Sequence, residues 1–303
     1  MSLNLEAVSR VQRAFVAGLA ERTGDYAACC QVLDADSGEL QLGSLAAGGL
    51  ATEVNTSTTA VSAANMASKT ATISKQAYVL KHTVPWAEFS SDFTLDQAGT
   101  KMANAAQQNI NKQFFDGLEG LFSAAHPAAG TGIGEVGAAK TFIDTGLAYL
   151  QTEAGAGTQD NLLTSAFSES ALDTAIQRLQ NYKDQRGLPL NMGLNGNLCL
   201  VVGPKNRKSA GEVVGSMLSG ADMQTNTLRA LVADVVSFPF TTDEDDWFLI
   251  DRTQSPCGIW IKEAPTLEIR PSDDGIFVNI VAKWVSAFYT RPYEYGIIGS
   301  NVA

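Results

Sequence analysis

The chain has 303 residues, of which 45% are hydrophobic and 17% charged, and its formal net charge is −11 at pH 7. These values are typical of a globular protein with one or two domains. The acidic balance disfavours a nucleic-acid binder with a broad basic face, because neutralising phosphates requires clustered Lys and Arg. No apolar run reaches the roughly 18 residues that a bilayer requires, and Glu6, Arg10 and Arg13 interrupt any signal-peptide core. We therefore expect a protein that needs no membrane and stays inside the cell that makes it.

The first 69 residues predict one helix followed by a loose segment. Apolar residues at helical spacing, including Phe15 and Leu19, predict an amphipathic helix from residue 3 to about residue 22. Its apolar stripe either packs on the chain's own core or forms an arm that lies on a neighbouring chain. Residues 34–69 are rich in Ala, Gly, Ser and Thr, and this composition predicts a loop or linker.

The next segment, residues 70–89, changes to a two-residue period. Tyr78, Leu80 and Trp86 alternate with residues such as Lys81, which predicts a strand that is one arm of a long hairpin. Aromatic residues stand at both ends of the strand and charges are few. The strand is therefore a candidate contact with another chain.

The middle of the chain predicts three helices and a buried strand. A proline-free stretch with one apolar stripe predicts a long helix from residue 94 to residue 122. Ser168 caps a second helix that ends at Gly187. The apolar run 198–202 predicts a buried strand, and a third helix starts at Pro204 and runs to about residue 218.

After residue 226 the pattern predicts strands separated by prolines, including Pro265. The strand candidates are residues 228–238, 247–251, 258–262, 266–270 and 277–289.

No group of residues in the sequence is typical of a catalytic site. His82 falls on the apolar face of the predicted strand, and His126 precedes a proline in a turn. A hydrolase that uses either histidine is formally possible, but no Gly-x-Ser-x-Gly sequence supports it. We therefore expect no catalytic residues, no enzyme activity and no cofactor.

The four cysteines predict no metal site, because their positions lack the spacing of metal ligands. They are Cys29, Cys30, Cys199 and Cys257. We expect reduced, structural thiols of the kind found in proteins of a reducing cytoplasm.

Two charged clusters are candidate contacts with another chain. The acidic run lacks the alternating ligand order of a calcium loop and predicts a solvated loop between two strands. It consists of Asp243, Glu244, Asp245 and Asp246. The tightest basic cluster lies in the first turn of a predicted helix, where the helix dipole disfavours cations. Its members, Lys205, Arg207 and Lys208, either contact an acidic loop of a neighbour or are merely solvated.

Several motifs stand in an order that resembles the major capsid proteins of tailed double-stranded DNA phages, especially the Mu-like head subunit group. The resemblance covers about residues 90–300 and leaves out the N-terminal third. Its motifs are the long helix ending in Leu121-Phe122, His126-Pro127, the helix that begins Ser168-Glu169-Ser170, the run Leu200-Val201-Val202-Gly203-Pro204, the strand at Trp247, and the closing stretch Trp284 to Ile297.

The resemblance implies an α+β fold, the Hong Kong 97-like capsid fold, with four parts. The implied parts are an N-terminal arm at 1–60, an extended hairpin called the E-loop at 61–92, a peripheral domain with a spine helix at 93–195 and 272–303, and an axial domain at 196–271.

The resemblance also implies a function: copies of the chain form the pentamers and hexamers of an icosahedral shell around double-stranded DNA. We expect DNA to be enclosed without sequence-specific binding, in a virion assembled in the host cytoplasm. Scaffold, portal and decoration proteins are possible further partners. An encapsulin-like nanocompartment is the alternative within the same fold, and the hydrolase described above is the alternative from another class.

Overall fold

The structure is a computed structural model, and it describes residues 5–21, 24–34, 40–46, 67–85, 92–130, 135–148, 158–184, 189–194, 196–219, 224–239 and 241–302. The helices are α1 (Leu5–Glu21), α2 (Tyr26–Cys29), α3 (Asp92–Gly120), α4 (Glu169–Asn181), α5 (Arg207–Gly215) and α6 (Leu228–Leu231). The strands are β1 (Val32–Asp34), β2 (Leu40–Ala46), β3 (Ala67–Ile73), β4 (Gln76–Pro85), β5 (Leu147–Ala148), β6 (Thr158–Gln159), β7 (Leu162–Leu163), β8 (Leu198–Val202), β9 (Leu218–Ser219), β10 (Gln224–Thr225), β11 (Val232–Ser237), β12 (Trp247–Asp251), β13 (Cys257–Pro271), β14 (Phe277–Thr290) and β15 (Ile297–Ser300).

The first of two main sheets has the strand order β1-β13-β14-β4. β13 and β14 form its long antiparallel centre, β4 pairs antiparallel with β14, and β1 pairs parallel with β13. Helix α3 contacts the same three long strands and covers one face of this sheet. The long helix predicted from the sequence is thus confirmed, and it serves as the spine of this layer.

The second main sheet has the strand order β11-β8-β12-β15-β7. Its central strands β8 and β12 are buried along their whole length, as the apolar run at 198–202 predicted. Helices α4 and α5 contact this sheet through β15 and β11. The buried side chains of α4 recur at helical spacing, so they lie on the face that packs on this sheet. The predicted cap is confirmed, because the Ser168 hydroxyl accepts the N–H of Ala171 at 3.1 Å.

Helix α3 has 29 residues and is therefore about 44 Å long. Its stripe of Ile110, Phe114 and Leu118 is buried in the core that it shares with the first sheet. Helix α1 packs along the N-terminal half of α3, where Gly99 permits a close approach. A Cβ atom at Gly99 would lie 2.5 Å from the carbonyl oxygen of Val11, so a larger residue would separate the two helices.

The structure corrects the predicted linker at residues 34–69. Residues 40–46 form β2, which pairs antiparallel with β3 in full register, from Leu40 opposite Ile73 to Ala46 opposite Ala67. Gly43 and Ser44 interrupt β2 after Leu42, so its sequence has no apolar alternation of strand length. The predicted segment 70–89 therefore holds parts of two strands: β3 pairs with this earlier segment, whereas the strand predicted around Tyr78 is β4, which pairs with β14.

Further element predictions were wrong in detail. The two strands predicted at 258–262 and 266–270 are one strand, β13, which passes through Pro265 at an irregularity in its pairing with β14. The strand predicted at 228–238 begins with the helical turn α6, because the side chain of Asn226 accepts the N–H of Leu228 at 3.0 Å. The second and third predicted helices end early, the second at Asn181 instead of Gly187, which lies outside the described residues, and the third at Gly215.

Candidate subunit-contact surfaces

Among the described strands, β2 and β3 form a ribbon that joins neither main sheet. It forms a sheet of its own with two strands of seven residues each, about 24 Å long. Leu40 and Ile73, at its base, pack with Trp260 and Tyr289. Further along, Lys69 forms an ion pair with Glu135. The base is thus anchored on the chain itself, and no third described strand pairs with the ribbon.

Strand β4 carries three of the predicted contact residues, and it lies at an edge of the first sheet. The ring of Tyr78 stacks on Trp284 with 5.6 Å between ring centroids, and Leu80 packs on the core of its own chain. Lys81 is exposed on the same strand. Trp86 lies outside the described residues. The aromatic residue at the start of the strand therefore packs against its own chain, and of the three predicted contact residues on β4 only Lys81 is exposed.

The amphipathic pattern of helix α1 left two alternatives open: packing on the chain's own core, or an arm that lies on a neighbouring chain. Phe15 is 2% exposed and belongs to the core shared with α3, so its ring has no surface left for a neighbour. Leu19 is partly buried against the same core. Arg10 and Asp96 add an ion pair of 2.7 Å between the two helices. For Phe15 the structure therefore supports packing on the chain's own core.

The basic cluster lies at the exposed start of α5. Lys205 forms a 2.7 Å ion pair with Asp245 of the same chain, and this hydrogen bond raises the pKa of Lys205. Lys208 lies 3.7 Å from Glu212, one turn further along α5, and Arg207 is exposed. The sequence left open whether this cluster contacts a neighbour's acidic loop or is merely solvated, and Lys205 finds an acidic partner within its own chain.

The acidic loop lies between the start of α5 and the end of α3. A Cβ atom at Gly203 would lie 2.5 Å from the carbonyl oxygen of Glu244, so the loop rests directly on that glycine. Glu119, near the end of α3, accepts hydrogen bonds from the backbone and hydroxyl of Thr242 at 2.9 and 2.8 Å. Thr242 therefore ties the loop that joins β11 and β12 to the spine helix.

The four acidic residues of this loop differ in exposure. Glu244 is exposed, while Asp243 and Asp245 are half-buried. Asp246 is buried, and burial raises its pKa to about 6, although the N–H of Val302 donates to its carboxylate. Asp246 is thus part of the chain's interior, which the prediction of a uniformly solvated loop did not anticipate.

A buried polar network joins three distant parts of the chain. His126 Nε2 lies 2.7 Å from Glu294 Oε2, and the hydroxyl of Tyr182 donates to Glu294 Oε1 at 2.6 Å. His126 Nδ1 accepts the N–H of Ala128 at 3.0 Å, so the ring is the tautomer that donates from Nε2. Both ring nitrogens are therefore used in hydrogen bonds that hold the fold, and neither is available to activate a nucleophile. Sequence reasoning found His126 but not its partners, because they lie 168 and 56 residues away with no shared local pattern.

His82 offers no catalytic arrangement either. It is exposed on β4, opposite Ile280 of β14 in the sheet register. Across the described part of the chain, no three His, Cys, Asp or Glu side chains are placed to hold a metal ion. Within the same residues, no helix is long and apolar enough to cross a membrane.

Exposed apolar side chains at two edges were not singled out by sequence reasoning. Val79 is 66% exposed on the edge strand β4, and Ile276 is 60% exposed next to Phe277 at the turn between β13 and β14. Their signal was present in the sequence, since Val79 stands on the polar side of the alternation and Ile276 follows the turn residues Asp274-Gly275.

The fold and sequence are similar to those of known capsid proteins. A family model described as phage capsid protein matches residues 87–292. The capsid of a native GTA particle aligns with a TM-score of 0.59 and 12% identity over 93% of this chain and 91% of that chain. Microbacterium phage Oxtober96 gives 0.56 and 10% over 93% and 92%, and a virus-like particle from Pyrococcus furiosus gives 0.52 and 11% over 97% and 98%. No curated protein sequence matches the chain.

The family model spans more than half of the chain, and the structural relatives share its whole architecture. None of these matches singles out the Mu-like group, so that assignment stays a prediction. The long spine helix on the first sheet and the second sheet built around β8 and β12 give a mixed helix-and-sheet fold, and the structural relatives are phage capsids with the Hong Kong 97 fold. The chain belongs to the phage capsid protein family and is a major capsid protein with this fold.

Proposed function

We propose that this major capsid protein closes its icosahedral shell by laying the β2–β3 ribbon on a neighbouring copy. The observation that carries the proposal is the ribbon itself: two strands in full register that no third described strand joins. An isolated two-stranded ribbon is only marginally stable in water, because it lacks a packing layer. A neighbouring subunit supplies that layer in an assembled shell.

Other surfaces complete the contacts within and between pentamers and hexamers. The apolar pair Ile276 and Phe277 at the β13–β14 turn, together with Val79 on the edge of β4, offers area to bury. Lys81, Arg207 and Lys208 remain exposed and are available for charged contacts with another copy. These contacts are individually small, so we expect assembly to depend on the ribbon more than on any one of them.

In this proposal the parts of the fold have the roles that the resemblance implied, but the boundaries between the domains follow the two main sheets. The ribbon draws β2 from the segment assigned to the arm (1–60) and β3 from the segment assigned to the E-loop (61–92). β13 lies within the assigned axial range, 196–271, but pairs in the first sheet with the peripheral strands. β15, assigned to the peripheral range, lies inside the second sheet. We propose that the first sheet with α3 is the peripheral domain and the second sheet the axial domain.

The decisive experiment shortens the ribbon without disturbing its base. Leu42 and Ala71 face each other in the ribbon register, so an Asn-Gly turn can replace residues 43–70 and close a shorter ribbon on the same base. We expect subunits with unchanged circular dichroism and melting temperature that no longer form closed shells in electron micrographs. Val79→Ala serves as a control that leaves the ribbon intact and should still assemble. Normal shells from the shortened chain would refute the role of the ribbon.

We further propose that the shell confines DNA without reading its sequence and is assembled in the host cytoplasm. The net charge of −11 per chain repels phosphate, and many copies multiply this repulsion at short range. Purified subunits should therefore not shift duplex DNA on a gel at physiological salt. A sequence-selective shift would contradict the proposal. Scaffold, portal and decoration proteins are further partners of such a shell, and the chain itself acts as a structural, non-enzymatic component.

An encapsulin-like nanocompartment would have the same fold but would enclose a protein cargo instead of DNA. Particles purified from cells that also carry the remaining virion genes should contain nuclease-protected DNA. Particles that enclose only a protein cargo would favour the nanocompartment instead.

A further inference from the structure

All four cysteines of the chain lie buried where the two main sheets meet. Cys29 ends helix α2, and Cys30 follows it directly, while Cys199 lies on β8 and Cys257 begins β13. They belong to one apolar core. Helix α2 contacts β8 and β11 of the second sheet as well as β13 of the first. The short helix is thus wedged between the sheets, with its thiols directed into the joint.

Two of these thiols are in direct contact. The Sγ atom of Cys199 lies 2.9 Å from the Sγ atom of Cys29, although 170 residues separate them. Cys30 instead directs its thiol to the carbonyl oxygen of Tyr26, at 3.2 Å. Cys257 lies in the same core and makes no described sulfur contact of this kind. Contact between sulfurs therefore selects one pair among the six that four cysteines allow.

We propose that Cys29 and Cys199 are an oxidisable pair that forms a disulfide within the chain. A disulfide has a sulfur–sulfur distance of about 2.05 Å, so the two atoms must approach by only about 0.9 Å from their separation of 2.9 Å. A cluster of four cysteines could also suggest a metal, but the described side chains include no group of three that is placed to hold one. The geometry therefore favours a dithiol.

The oxidant is a small-molecule disulfide such as oxidised glutathione. One protein thiolate attacks the small disulfide, forms a mixed disulfide and releases one small thiol. The second protein thiolate then attacks the protein sulfur of the mixed disulfide and releases the other small thiol. The two protein thiols lose two hydrogens in total, and one small disulfide is reduced to two thiols.

The surroundings make this reaction slow while α2 is in place. The hydrogen bond with Cys199, and then burial, raise the pKa of Cys29, so little of the reactive thiolate is present. Both thiols are fully buried. Oxidation therefore requires α2 to move away briefly from the second sheet. A glutathione-buffered cytoplasm keeps the pair reduced, and the bond forms only after a particle leaves it. This timing rests on the proposed function, whereas the pairing of the two cysteines does not.

The bond would fasten a joint that is now held by a polar contact. Arg252, just after β12, donates to the carbonyl oxygen of Ala28 at 3.1 Å and pairs with Asp234 of β11 at 2.7 Å. A covalent link between α2 and β8 adds to this contact. It also closes a very long loop in the unfolded chain, which lowers the entropy of that state and stabilises the folded one.

The test uses the full chain in its native state. The reduced protein is incubated with oxidised glutathione just below its melting temperature, remaining thiols are alkylated, and the protein is digested without reductant. Mass spectrometry should find the peptide of Cys29 joined to that of Cys199 with the loss of two hydrogens. The melting temperature should rise by several degrees, and dithiothreitol should reverse both changes. A link between Cys29 and Cys30, a link through Cys257, glutathione adducts alone, or four free thiols would each overturn the proposal.

Matched variants separate the pair from the rest of the cluster. Cys29→Ala and Cys199→Ala should each abolish the rise in melting temperature, whereas Cys30→Ala and Cys257→Ala should keep it. Loss of the rise in either of the last two, with both folded, would contradict the assignment. If a variant does not fold, fragmentation of the linked peptide from the unaltered chain still decides which cysteines are joined, because the alkylated thiol shows whether Cys29 or Cys30 stayed free.

Discussion

His126 and Glu294 are joined by a buried hydrogen bond of 2.7 Å, although 168 residues lie between them. The bond ties the loop that follows the spine helix to the last segment of the chain. Tyr182, at the end of α4, completes the arrangement from a third direction. The histidine that could have suggested a hydrolase is therefore a connection between the two layers of a capsid subunit.

Removing this connection should cost much of the subunit's stability. His126→Ala removes one hydrogen bond from the buried Glu294 carboxylate, which keeps the hydroxyl of Tyr182, and removes the acceptor of the Ala128 N–H, so we expect a loss of about 2–4 kcal/mol in the free energy of unfolding. Urea denaturation measures it. His82→Ala is the matched control, because His82 is exposed, and it should change stability by less than about 0.5 kcal/mol. Equal effects of the two substitutions would show that the network is not structural.

Gly99→Ala should push α1 away from α3. The new Cβ atom would lie 2.5 Å from the carbonyl oxygen of Val11, and we expect a loss of about 1–2 kcal/mol and faster proteolysis of α1. Gly120→Ala, on the same helix with nothing within 4 Å of its Cβ position, is the control and should be neutral. If α1 were instead an arm that lies on a neighbouring chain, Gly99→Ala would leave the stability of the isolated subunit normal and would weaken assembly.

Asp246→Asn should stabilise the subunit in a pH-dependent way. The pKa of Asp246 rises from 3.8 to about 6 in the folded chain, because burial disfavours its charged form and Asp243, Glu119 and Asp245 add negative charge nearby. The folded state therefore binds this proton more tightly than the unfolded state, and the stability it contributes at low pH is lost as pH rises through about 6.

Asparagine avoids that loss, since it carries no proton to release. Partial access to solvent weakens the effect, so we expect Asp246→Asn to gain about 1–2 kcal/mol at about pH 8 and almost nothing at about pH 4. Urea denaturation at both pH values measures the difference. Asp273→Asn removes an exposed carboxylate and should show no such dependence. A gain that is equal at both pH values would mean that ionisation of Asp246 is not its cause.

Tyr78→Ala should act on folding, and Lys81→Ala on assembly. The Tyr78 ring stacks on Trp284, and its loss should lower the free energy of unfolding by about 1–2 kcal/mol. Lys81 is exposed on the same strand, so its replacement should leave the isolated subunit unchanged. Thermal unfolding and light scattering during assembly separate the two effects. Destabilisation by Lys81→Ala would show that this side chain belongs to the subunit interior.

Sequence patterns correctly predicted the helices and strands that form for local reasons. The spine helix, the capped helix α4 and the buried strands β8 and β12 follow from apolar periodicity and from the Ser168 cap, because each pattern is complete within a few turns or residues. The α+β class and the capsid family followed from the order of these elements, and the family is confirmed by the match over residues 87–292.

The features that were missed depend on distant partners. β2 has no apolar alternation, and its strand character comes from pairing with β3. Pro265 was read as a boundary, but β14 holds the strand together on both sides of it. The burial of Asp246 and the partners of His126 arise from contacts across the fold, which composition and spacing cannot express.

The position of β15 sets when a subunit can be complete during synthesis. This strand consists of Ile297–Ser300, among the last residues of the chain, yet it lies inside the second sheet between β12 and β7. Strand β1, near the start, likewise waits for β13. The first sheet therefore stays unfinished until a ribosome has made β14, and the second until it has made β15. A translation product that stops before β15 therefore lacks a finished second sheet to present to a growing shell, which gives assembly a check against chains that end before this strand.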